Sequence, residues 1–75
     1  MVECNILLDT IDKIADFIKV VSKIEYDVDL VKGRYTVDAK SVVGVFTLDL
    51  SKEAKIIIHT DDESILDKFS EWRVD

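Results

Sequence analysis

Apolar side chains along this chain recur first at every second residue, then at every third or fourth, and the two rhythms keep exchanging to the end of its 75 residues. A period of two lays an apolar face on a strand, and a period near 3.6 lays an apolar stripe on a helix. A chain carrying both must stack helices on a sheet to bury either. At this length only about 60% of the unfolded surface is buried on folding. The core is therefore thin, and there is no room for a deep substrate cleft.

Val2, Cys4, Ile6 and Leu8 alternate with Glu3, Asn5 and Leu7, which predicts a strand with one buried face. Asp9 or Thr10 then caps a helix over residues 10–22, with Ile11, Ile14, Ala15, Ile18 and Val21 at helical spacing. Tyr26, Val28 and Leu30 alternate, as do Tyr35, Val37 and Ala39, and Val31-Lys32-Gly33 between them reads as the turn of a hairpin. Ser41 is a good cap for a short helix carrying Val42, Val43 and Phe46 and ending near Asp49. Lys55–Thr60, with Ile56-Ile57-Ile58 apolar on both faces, predicts a central strand. Thr60-Asp61-Asp62-Glu63 has the form of a capping box ahead of a last helix lined by Ile65, Leu66, Phe69 and Trp72. The expected order is β-α-β-β-α-β-α in one domain over residues 1–75: an α+β open-faced β-sandwich, its four-stranded antiparallel sheet covered by helices on one face.

A net charge of −6 with no basic run argues against nucleic acid and against anionic membranes as partners. No apolar run approaches the length of a membrane span. Met1-Val2-Glu3-Cys4-Asn5 does not read as a signal peptide, and a lone cysteine, Cys4, cannot close an internal disulfide. A cytoplasmic, reducing location is expected, with proteins as partners.

From Phe17 to Leu50 the chain resembles the HPr phosphocarriers of the sugar phosphotransferase system. The shared positions are Ser22-Lys23, Asp27-Val28, Leu30, Gly33, Thr36-Val37, Lys40-Ser41, Gly44-Val45 and Leu48. Lys40-Ser41-Val42-Val43-Gly44-Val45 is the strongest piece, similar to the family's Lys-Ser-Ile-Met-Gly-Val. The resemblance implies the order of elements given above. The family's phosphoryl-accepting motif, His-Ala-Arg-Pro, opens the first helix. In the same register its histidine falls on Thr10, its arginine on Asp12 and its proline on Lys13. None of the three matches, so no catalytic residue, metal or cofactor carries over, and the chain is expected not to be an enzyme.

Chemistry points the same way. Phosphohistidine is a phosphoramidate that can pass its group on, whereas phosphothreonine is a low-energy ester. A helix N-terminus attracts phosphate, but Asp9, Asp12 and Asp16 crowd this one with negative charge. The chain is thus closest in kind to the catabolite-repression HPr-like protein, which also lacks the carrier histidine. The resemblance implies that Ser41 is a candidate for regulatory phosphorylation by an HPr kinase, after which the protein would bind a transcription regulator. It also implies a partner surface on Phe17, Ile18, Lys40, Val42, Val43 and Phe46. One alternative is a structural module that homodimerises through the apolar patch or an exchanged first strand. Another is a carrier with a non-standard acceptor.

The only histidine, His59, is expected at the end of its strand, and the resemblance to an HPr sheet implies that this end lies away from the first helix cap. Cys4 reads as a small buried apolar residue. The acids Asp61, Asp62 and Glu63 read as a capped helix start and not as a metal site.

Overall fold

Four strands and three helical segments follow one another in the computed structural model, which describes residues 1–74: β1 (Val2–Ile6), α1 (Ile11–Ser22), β2 (Val28–Lys32), β3 (Tyr35–Asp38), α2 (Val42–Phe46), β4 (Ala54–Ile58) and a 3₁₀ helix (Glu63–Phe69). The strands form one antiparallel sheet in the order β1-β4-β2-β3. The triple isoleucine places β4 in the middle, between β1 and β2, as its two-faced apolarity predicts. Ile56 and Ile58 are fully buried on the helix side, while Ile57 faces the open side and is half-buried.

The predicted hairpin closes on the pair Lys32–Tyr35, so its turn is Gly33-Arg34 and not Val31-Lys32-Gly33. Gly33 has φ of +59° and is the one described residue with positive φ. Positive φ at the first central residue only is the sign pattern of a type II′ turn, which suits glycine there and matches the strand twist.

On α1 the buried residues are Ile14, Phe17 and Val21, while Ile11 is 75% exposed and Ala15 is also exposed. The expected stripe through Ile11 and Ala15 is therefore corrected by a rotation of the helix that turns Phe17 inward. The cause is an aromatic cluster in which Phe17 meets Phe69 and Trp72, with each ring centroid 5.9 Å from its own.

The last segment is also corrected. It is a 3₁₀ helix, and Trp72 lies beyond it. Leu66, Phe69 and Trp72 are spaced by three residues, the period of a 3₁₀ turn. Its cap is Asp62, whose Oδ1 accepts from the backbone N–H of Ser64 at 3.0 Å and from its hydroxyl at 2.6 Å. Thr60 Oγ1 instead accepts from Asp62 N–H, so the capping box centred on Thr60 and Glu63 does not form. The chain then returns along β1: Trp72 C=O accepts from Leu7 N–H and Val74 N–H donates to Asn5 C=O.

Candidate functional site

Two helix starts carry the residues that matter. At the first, Thr10 has extended backbone (φ −131°, ψ 155°), and its Oγ1 accepts from Lys13 N–H at 3.2 Å. Lys13 Nζ reaches back one turn to Asp9 Oδ1 at 2.8 Å. The hydrogen bond from Lys13 holds the Asp9 carboxyl below the usual carboxylate range. Asp12 and Asp16 remain exposed, with no ion-pair partner among the described residues. The site is thus a capping hydroxyl among three carboxylates and one lysine already engaged by one of them.

At the second start, Ser41 Oγ accepts from Gly44 N–H at 3.2 Å, and Ser41 itself is exposed. Gly44 suits this close approach, since any side chain here would make its neighbours give by a few tenths of an ångström. A Cβ there would stand 3.3 Å from Ser41 Oγ and 3.4 Å from Val37 Cβ, pressing α2 away from β3 and crowding the capping hydroxyl. α2 stops at Phe46, sooner than the expected end near Asp49. Thr47 ends it by donating both its N–H and its hydroxyl to Gly44 C=O.

The nominated partner surface divides. Val42, Val43 and Phe46 are 49%, 77% and 53% exposed, a large share for apolar side chains. Ile18 is half-buried against the core. Phe17 has no exposure and does not belong to the surface, because the aromatic cluster claims it. Lys40 does not offer a free ammonium: its Nζ donates to Ile24 C=O at 2.6 Å, tying the approach to α2 to the segment after α1. In their place the fold supplies Ile11, which periodicity had assigned to the interior. Ile11, Thr10 and Phe46 line one shallow cavity of about 190 Å³ floored by Leu8, Ile14 and Leu48. The first cap and the end of α2 therefore share one surface.

His59 lies elsewhere. It follows Ile58, which pairs with Val2 at the start of β1, whereas Thr10 follows the far end of that strand. Its Nε2 is 2.8 Å from Asp29 Oδ2. The sole histidine and the first helix cap thus sit at opposite ends of the sheet. Among the described residues, no group of three or more histidines, cysteines or acids could hold a metal. No helix there is long and apolar enough to cross a membrane.

This fold is also that of a solved HPr structure. The chain superposes on the crystal structure of HPr-C-His from Thermoanaerobacter tengcongensis with a TM-score of 0.79, at 23% identity, covering 95% of this chain and 89% of that one. A family model described as the PTS HPr component phosphorylation site matches residues 12–71. The chain belongs to the HPr family of the phosphotransferase system. The match begins at Asp12, so Thr10 lies just outside it. A search of curated proteins finds no match.

Proposed function

We propose that residues 1–75 act as one HPr-like domain that no longer carries phosphoryl groups. It serves as a regulatory, protein-binding relative of the phosphotransferase system, in the cytoplasm and without enzymatic activity. The observation that carries this reading is the first helix start: a threonine cap among Asp9, Asp12 and Asp16, with the sole histidine at the other end of the sheet. Thr10 Oγ1 is occupied as a cap, and an ester formed there could not pass its phosphoryl group onward.

In this reading Ser41 is the switch. An HPr kinase would transfer the γ-phosphoryl group of ATP to Ser41 Oγ, forming the O–P bond, breaking the bond to ADP and removing the hydroxyl proton. The group would add about −1.5 to −2 of charge beside Val42, Val43 and Phe46 and so change what that surface binds. A transcription regulator is the partner class this suggests.

Intact-mass measurement tests both halves. Incubation with an active HPr kinase and ATP is expected to add one phosphate, lost in Ser41→Ala. Incubation with phosphorylated enzyme I is expected to add none. Phosphate transfer from enzyme I at a rate suited to a relay would overturn the reading. An unmodified Ser41 beside a kinase control that works would remove the switch.

A further inference from the structure

β3 is one of the two edges of the sheet, and the other is already covered: the Trp72–Val74 segment hydrogen-bonds along β1. The bond from Ala39 N–H to Val28 C=O, 2.8 Å, sets the phase of the β2–β3 ladder. Ala39, Val37 and Tyr35 point their backbone groups inward to β2. By alternation, Thr36 and its neighbours at 34 and 38 point theirs outward, though Asp38 C=O already accepts from Ser41 N–H at 2.9 Å, which leaves Thr36 as the centre of the open edge. β3 is short and ends on the charged Asp38, but it contains no lysine, no proline and no bulge, and no other described segment covers it.

The side chains add a second, independent observation. Asp38 stands directly across from Asp29 on the open face, an unfavourable like-charge pair in a position where strands lie closest. Asp29 is bonded to His59, but Asp38 has no cation partner among the described residues, and neither has Arg34 an anion. Read outward from Thr36, the segment Arg34-Tyr35-Thr36-Val37-Asp38 is complementary to its own reverse. Antiparallel pairing with a second copy about Thr36 sets Arg34 against the partner's Asp38, Tyr35 against the partner's Val37, and Thr36 against the partner's Thr36.

We propose that the β3 edge is a homodimerisation surface, on which two copies pair about Thr36 into one continuous sheet. The reciprocal Arg34–Asp38 pairs supply the cation that the Asp29–Asp38 contact lacks. The outward N–H and C=O of Thr36 gain partners. Because α2 packs on β3, both copies of α2 come onto the same face of the joined sheet. This surface adjoins the Ser41 switch, since Asp38 C=O accepts from Ser41 N–H at 2.9 Å, but the pairing does not require a phosphate there. A seam this short predicts a weak dimer, with Kd on the order of 10⁻⁴ M.

Sedimentation equilibrium from about 10 µM to about 1 mM is expected to show the mass rising from 8.6 kDa toward twice that value. Thr36→Pro removes only the outward N–H and spares the inward ladder. It is expected to weaken association at least about tenfold while the circular dichroism spectrum stays unchanged. Arg34→Asp and Asp38→Arg are each expected to be monomeric, because each sets like charges together, and to associate when mixed. Should Asp38→Arg fail to fold, Thr36→Pro and Arg34→Asp decide the matter between them. A wild-type chain that stays at 8.6 kDa throughout, or an association that survives both of these variants, would overturn the proposal. In the second case Phe46→Ala would identify α2 as the contact instead.

Discussion

Ser41 Oγ holds the Gly44 N–H at 3.2 Å, so its hydroxyl works as a cap whether or not a kinase ever reaches it. Ser41→Ala is expected to cost about 1 kcal/mol, a fall in Tm of about 4–8 °C for a domain of this size, read by thermal unfolding. Ser41→Asp keeps an acceptor in place and should lose much less. Three carboxylates sit below the usual range because of hydrogen bonds to them: Asp9 from Lys13, Asp49 from Ser51 and Asp62 from Ser64. A carboxyl with a lowered folded pKa stabilises the fold fully above its unfolded value and loses that contribution as pH falls through the folded one. The Tm should therefore hold from neutral pH down to about pH 4–5 and drop below it. Asp62→Asn, which keeps an oxygen but cannot ionise, should flatten that acid limb.

Two phenylalanines on neighbouring helices show how differently one residue type can be used. Phe17 of α1 is fully buried against Phe69 and Trp72, whereas Phe46 of α2 is 53% exposed. Phe17→Ala is expected to cost about 3–5 kcal/mol, comparable with the whole stability of such a domain, about 4–11 kcal/mol. Urea titration should find it largely unfolded. Phe46→Ala should change stability by no more than about 0.5 kcal/mol, leaving any loss of partner binding attributable to the surface itself. Periodicity alone could not separate these roles. The stripe through Ile11 and Ala15 and the stripe through Phe17 share Ile14, Ile18 and Val21, and differ only by a small rotation of α1. The rotation is set by Phe69 and Trp72, which arrive some fifty residues later.

Across the molecule, one core runs from Val2 to Trp72 and links β1, the helices and the returning C-terminal segment. Cys4 lies inside it, 2% exposed and not in a disulfide. Its thiol should react with an aromatic disulfide reagent only as fast as the sheet opens, and addition of urea below the unfolding midpoint should speed that reaction. Faster labelling, at the rate of a free thiol in solution, would mean that β1 detaches independently of the rest. Trp72 fluorescence and far-ultraviolet circular dichroism should report the same unfolding midpoint, since both report on this core.

The order of the elements, the central place of β4, a cap at Asp9 or Thr10 and the cap at Ser41 were legible from residue order, whereas the remoteness of His59 followed from the resemblance to an HPr sheet. Each of the legible features depends on local spacing or on a side chain bonding its own backbone a few positions away. Four features were decided by groups distant along the chain: the burial of Phe17, the bond from Lys40 to Ile24, the exposure of Ile11 and the uncovered edge of β3. The 3₁₀ form of the last helix had a signal in the three-residue spacing of Leu66, Phe69 and Trp72, but helical spacing fits those residues almost as well. Spacing tells a segment which side is apolar. Which neighbour meets that side, and which polar atom finds a partner, is known only once the packed elements stand next to one another.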